Sequence, residues 1–156
     1  KMELLVRYTR RPKIPVQSGD RAYDMKTATV AARYLKMNEA VYINIDATVI
    51  PAYRDRGVRY GFLGREVLLL PGGVSMASIS GAAIHMVLTF RGPDWRHQKV
   101  VVSPPFSSKD VRGTMAALLQ MLDEAIRRDP SSWEMWDLIP EEGTVFPEMP
   151  EGGAAA

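Results

Sequence analysis

Cysteine is absent from this 156-residue chain, and the only histidines are His85 and His97. The first absence excludes a disulfide scaffold, a zinc–thiolate site, an iron–sulfur cluster and a cysteine nucleophile, and it suits a cytosolic compartment. The second prevents a single chain from building a three-histidine metal site. The phosphate-cradling patterns GxxxxGK[ST] and GxGxxG are also missing. No charged segment followed by an apolar run of about 7–15 residues opens the chain, so no signal peptide is predicted. The longest stretch without Asp, Glu, Lys or Arg, from Val67 to Phe90, matches the length of ~20 residues that crosses a bilayer. Pro71-Gly72-Gly73, Ser75, Ser78, Ser80 and Gly81 divide it into strand, turn and short helix, so no membrane span is predicted either.

What is present is ordinary globular material. Hydrophobic residues make up 46% and charged residues 24% of the chain, which excludes disorder and fibrous repeats. The length fits one domain or part of one. The net charge of +2 hides a gradient: residues 1–66 balance at +6, residues 67–128 at +3 and residues 129–156 at −7. A basic body of this kind suits an anionic partner, whether nucleic acid, an anionic lipid surface or a phosphorylated substrate; solvated faces account for the same charges.

Hydrophobic periodicity gives the element order. Met2–Tyr8 is short and β-compatible, Tyr23–Met37 is a helix with Ala28, Ala31, Tyr34 and Leu35 at helical spacing, and Asp20 or Asp24 is placed to cap it. Asn38 suits the left-handed residue that ends it. Ala40–Asp46 reads as a buried strand finishing on a carboxylate. Tyr60–Gly64 and Glu66–Leu70 are extended pieces about a Gly-Arg turn, Val74–Ser80 a small-residue helix, and Ala83–Phe90 and Lys99–Ser103 strands. Asp110–Arg128 is a helix with Val111, Met115, Leu118, Leu119, Leu122, Ala125 and Ile126 in one stripe, and Ser107 or Ser108 is placed to cap it. Strands interleaved with helices predict an α/β domain with a mixed, largely parallel sheet flanked by helices. Ala40–Asp46 and Ala83–Phe90 are expected to be its neighbouring central strands.

Few residues carry chemistry. Gly73-Val74-Ser75-Met76-Ala77 approaches the GxSxG nucleophile elbow between a strand and a helix, as in a serine hydrolase. Both histidines lie too close behind Ser75 for the usual triad order, and a small-residue helix start explains the same residues. Alternation places Ala83, His85, Val87 and Thr89 on one strand face, opposite Ile84, Met86, Leu88 and Phe90. His97 sits in a turn beside Trp95 and Arg96. Trp133 and Trp136 share a helical face, suited to core packing or to a membrane interface. Asp46 ends a strand where open α/β sheets place binding crevices, and Arg54, Arg56, Arg59 and Arg65 follow within reach of an anionic group. A turn cap is the competing explanation for Asp46.

Three segments carry a family resemblance. Tyr60-Gly61-Phe62-Leu63-Gly64-Arg65-Glu66, then Leu70-Pro71-Gly72-Gly73, then Ala77-Ser78-Ile79-Ser80-Gly81-Ala82, resemble the "FFG" turn, "PxG" step and "LAxxTGAxVVP" pattern of the bacterial lipid A biosynthesis acyltransferase family, which includes lauroyl and myristoyl transferases and phosphatidylinositol mannoside acyltransferases. The strand ending Asn44-Ile45-Asp46, the Ser103-Pro104-Pro105 step and the Pro130–Trp136 segment follow in the family's order, so the resemblance covers about residues 2–136. The chain departs from the pattern in lacking a proline near His85 and in following Trp136 with Asp137. It also contains no HX4D or HX4E: Phe90 and Val102 stand five residues beyond the two histidines.

The resemblance implies a glycerolipid-acyltransferase-like fold over residues 1–139, followed by an acidic, low-complexity tail over 140–156. It implies acyl transfer from acyl carrier protein or acyl-CoA to a hydroxyl of a (glyco)lipid acceptor, peripherally at the cytoplasmic face of the inner membrane, with no metal, no other cofactor and no nucleic acid. In that mechanism a histidine with an acidic partner deprotonates the acceptor, and the motif is expected upstream of Lys1. The substrate-binding side of the site would comprise Asp46, Arg54, Arg56, Phe62, Gly64 and Arg65. The alternative is a non-catalytic acyltransferase-like module that binds lipid or a partner protein.

Overall fold

The computed structural model describes residues 21–46, 56–92, 94 and 96–133. Helix α1 (Arg21–Lys36) ends where the sequence indicates. Asn38 adopts φ 63°, and the Glu39 amide donates to the Tyr34 carbonyl at 3.0 Å, closing the helix through a left-handed residue. The strand expected over Met2–Tyr8, Asp20 and the side chain of Asp24 lie outside the described residues.

Two short hairpins follow from period-2 alternation. Strands β1 (Val58–Phe62) and β2 (Arg65–Leu69) pair antiparallel, Tyr60 opposite Val67 and Phe62 opposite Arg65. Tyr60, Phe62, Val67 and Leu69 are buried while Arg59 and Glu66 point outward as an ion pair at 2.6 Å. The two-residue loop has both positions at positive φ, Leu63 at 52° and Gly64 at 78°, the conformation that matches strand twist. Leucine is a costly choice there. The Leu63 amide is held by the Asp123 carboxylate at 3.0 Å, which ties the turn to a distant helix.

Helix α2 (Gly72–Ser80) ends at Gly81, φ 73°, with the Ala82 amide donating to the Ala77 carbonyl at 3.0 Å. A Cβ on Gly81 would meet nothing within 4 Å, so the cost of filling it is purely conformational. Gly81→Ala is expected to destabilise the fold by about 1–2 kcal/mol, read as a lower urea midpoint at constant slope. An unchanged midpoint would show that the helix end relaxes.

Strands β3 (Val87–Arg91) and β4 (Gln98–Val102) form the second antiparallel hairpin, Val87 opposite Val102. The alternation read from the sequence holds: Ala83, His85, Val87 and Thr89 are exposed, Met86 is buried, and Ile84, Leu88 and Phe90 are half-buried. Helix α3 (Val111–Arg128) buries Met115, Leu118, Leu119, Ala125 and Ile126 from its predicted stripe. Its cap is Asp110, whose carboxylate accepts from the Gly113 amide at 3.0 Å, rather than Ser107 or Ser108. Ser107 serves through its carbonyl, which accepts from the Thr114 hydroxyl. Pro130 ends the helix by forcing Asp129 into an extended conformation, φ −142°, and a 3-10 turn, Pro130–Ser132, leads to Trp133.

The core joins β1, β2, α2 and α3, with Leu119 wholly buried at its centre. Helix α3 packs against β1 and α2, and α1 packs against α2. The ladders among the described residues are the two antiparallel hairpins. Residues 40–46 form no ladder among the described residues, and β3 pairs with β4 rather than with them. Side chains 41, 43 and 45 are nevertheless half-buried while 40, 42 and 44 are exposed. The segment thus alternates as an extended chain does, with Ile45 on the core. Composition reports which residues tolerate an extended, half-buried backbone; it does not report which strand lies alongside.

Candidate functional site

The most distinctive cluster brings together three residues remote in sequence. Phe62 reaches it at the end of β1, Trp133 from the 3-10 turn after α3, and Asp46 from the end of the extended segment. The Trp133 indole Nε1–H donates to Asp46 Oδ2 at 2.9 Å. The Trp133 ring stands edge-on to Phe62, centroids 5.9 Å apart at 82°, the geometry that aromatic quadrupoles favour. Trp133 is 9% exposed and Phe62 3%, while Asp46 is half-buried. A half-buried carboxylate thus sits at the margin of the core, held from the apolar side by the indole.

The remaining predicted site residues sit around this cluster unequally. Arg65 is exposed and lies opposite Phe62 in the β-ladder, which places it at the same end of the hairpin. Gly64 supplies the left-handed turn between them. Phe62 is a core residue whose ring packs on Trp133, so its contribution is to shape the site from beneath. Arg56 is exposed but precedes β1, at the opposite end of that strand from Phe62. Arg54, Trp136 and the tail over 140–156 lie outside the described residues. Sequence reasoning gave Trp133 a packing role and missed its bond to Asp46, because 87 positions separate the partners; the signal available was a tryptophan, whose N–H seeks an acceptor when buried.

The other chemistry-bearing residues are placed elsewhere. Ser75 lies within α2, past its first turn, and its amide donates to the Pro71 carbonyl at 2.9 Å. It therefore does not occupy the strand-to-helix turn that a nucleophile elbow requires. His85 is exposed, its Nδ1 donating to the Ser103 carbonyl at 2.9 Å. His97 has a carboxylate after all, though not the one that motif spacing seeks: Asp94 Oδ2 lies 2.6 Å from its Nδ1. Asp94 also accepts from the Arg96 and His97 amides, so it organises the β3–β4 turn. The His97 hydrogen bond holds the Asp94 carboxyl below its ordinary range. Any stabilisation from that bond is present above the ordinary carboxylate pKa and is lost as the pH falls through the lowered value. The His97 side chain is 83% exposed and that of Asp94 46%, so the pair faces solvent among the described residues.

Among the described residues no group of three His, Asp or Glu is placed to hold a metal ion, and no helix is long and apolar enough to cross a membrane. No curated protein matches the chain. Comparison with protein-family models matches residues 16–137 to the family described as bacterial lipid A biosynthesis acyltransferase, a span that contains Asp46, Phe62, Arg65 and Trp133. The match covers well over half of the sequence, and the chain belongs to the bacterial lipid A biosynthesis acyltransferase family.

Proposed function

We propose that this chain is the substrate-binding part of an acyltransferase that moves a fatty acyl group from acyl carrier protein or acyl-CoA to a hydroxyl of a (glyco)lipid at the cytoplasmic surface of the inner membrane. The observation that carries the reading is the family match over residues 16–137, which makes acyl transfer of the lipid A type the coarse activity. Asp46 would accept a hydrogen bond from the acceptor lipid, and Arg65, with Arg54 and Arg56, would meet phosphate on the acceptor or on the donor's pantetheine arm. A histidine base with an acidic partner, upstream of Lys1, would take the acceptor proton as the hydroxyl oxygen attacks the thioester carbonyl and the thiolate leaves. The intact domain would carry the mixed, largely parallel sheet that the alternation of strands and helices predicts, with residues 1–139 in the domain and 140–156 as an acidic tail. No metal or further cofactor takes part in this scheme. The test is transfer of radiolabelled palmitate from palmitoyl-CoA to a lipid A precursor by the longest chain that the gene encodes. A gene with no HX4D or HX4E ahead of this segment, and no transfer, would favour the non-catalytic lipid- or partner-binding module.

Membrane contact in this reading is peripheral and electrostatic. Residues 1–66 carry 13 Lys and Arg against 7 Asp and Glu, and each cation near an anionic leaflet contributes about 1 kcal/mol. The chain is expected to sediment with phosphatidylglycerol vesicles in low salt and to be released as ionic strength rises. Equal binding to neutral phosphatidylcholine vesicles at high salt would contradict an electrostatic contact.

A further inference from the structure

We infer that Trp133 is a positioning residue of the acyl-transfer site, acting through the Asp46 carboxylate; the inference rests on the proposed role of Asp46. Packing alone does not require tryptophan here. A phenylalanine would fill most of the same space, 9% exposed, and could keep an edge contact with Phe62. What only the indole supplies is the Nε1–H, and that N–H is spent on Asp46 Oδ2 at 2.9 Å. A hydrogen bond to an ionised acceptor is about twice as strong as a neutral one and is more directional.

Asp46 needs such a constraint. It ends a segment that no ladder holds among the described residues, and rotation about its own side-chain bonds would swing the carboxylate unless a partner fixed it. Trp133, by contrast, stands on a rigid frame. Its amide donates to the Pro130 carbonyl at 3.3 Å, and the Ser131 and Ser132 hydroxyls both donate to Asp129, pinning the turn below it. The Arg91 amide donates to Ser132 Oγ at 3.0 Å, and the Leu63 amide to Asp123 at 3.0 Å, so α3, β1 and β3 are all tied to the same region. The indole transmits that frame to one carboxylate oxygen. The second oxygen, Oδ1, makes no hydrogen bond among the described residues and is the acceptor offered to a ligand hydroxyl.

The experiment compares Trp133→Phe, Asp46→Asn and the double variant in the longest chain that the gene encodes, with palmitoyl-CoA as donor and a lipid A precursor as acceptor. Trp133→Phe is expected to raise KM for the acceptor about ten- to a hundredfold, the scale of one hydrogen bond to a charged group, with a smaller change in kcat. Asp46→Asn should do at least as much, and the double variant should be no worse than Asp46→Asn alone, since an amide keeps the oxygen that faces the indole but lacks the second acceptor oxygen, which leaves Trp133 nothing to position. Should Trp133→Phe lose its fold, benzothienylalanine at position 133 keeps the ring shape without the N–H and is expected to give the same KM. Additive effects, or an impaired Asp46→Asn beside an unimpaired Trp133→Phe or isostere, would overturn the positioning role and leave Asp46 as a binding residue. An Asp46→Asn variant with unchanged kinetics would overturn both.

Discussion

Acyl transfer by these 156 residues is expected to fall on the order of 10²–10⁴-fold below that of the same protein carrying an upstream HX4D or HX4E, the value of a positioned general base. An acceptor hydroxyl is a weak nucleophile at neutral pH without a base beside it. Each histidine present offers a bare ring nitrogen, since each uses Nδ1 for a hydrogen bond. Neither is near a site in the sense that matters. His85 is exposed just ahead of β3, next to the buried Met86, and His97 lies in the exposed β3–β4 turn. Phe62 and Trp133, which hold Asp46, share the core with Met86 rather than with the exposed His85. Radiolabelled palmitate carried from palmitoyl-CoA into the lipid fraction measures the difference between the two chain lengths. Equal turnover by both, abolished by His85→Ala or His97→Ala, would move the base into this chain and end the upstream assignment.

Legibility of the site followed the range of the interactions that build it. Asp46 is legible as a carboxylate ending an apolar run, and a turn at Gly64 as a glycine between two β-compatible pieces, because both signals are local. The turn itself falls at Leu63-Gly64 rather than Gly64-Arg65, and Arg65 opens β2. Trp133 reads from sequence as a core or membrane-interface residue, since its partner is 87 residues away and nothing in the intervening sequence points to Asp46. Asp123 is a further long-range partner: it pairs with Arg127 along α3. Its second oxygen holds the amide of Leu63, a residue strained at positive φ. A hydrogen bond between distant segments leaves no periodicity for a sequence to display.

The fold divides along the same line. The stripe of α3, the left-handed Asn38 and the alternation about His85 all appear as predicted, each being set within a few residues by backbone geometry. Strand pairing is set by what lies alongside. Val87–Arg91 pairs with its sequence neighbour Gln98–Val102 across a short turn, where loop closure costs little. Residues 40–46 have the composition of a strand but no sequential neighbour of that kind, and they run extended without a ladder among the described residues. The cap of α3 was misplaced by two or three residues because serine and aspartate compete for such positions on nearly equal terms; Asp110 wins by standing three residues before an amide that its carboxylate reaches.

Leu119→Ala is expected to destabilise the protein by about 2–5 kcal/mol, against a total of roughly 5–15 kcal/mol for a domain. Leu119 has 0% exposure and belongs to the cluster that α3 shares with β1, β2 and α2. Two terms add: the transfer free energy of the side chain atoms removed, and the cavity that a close-packed surround cannot fill. The hairpin side of that surround has little freedom to collapse, because the Leu63 amide is tied to Asp123 on α3 itself, one turn beyond Leu119. Leu122, on the same helix but only partly buried, provides the comparison and should cost clearly less when cut to alanine. Urea unfolding of the two variants reads the difference as separate midpoints at a common slope. Equal, small shifts would mean that α3 does not organise the core. The frame proposed to hold Trp133 against Asp46 would then lose its support, because the turn that carries Trp133 grows directly from the end of this helix.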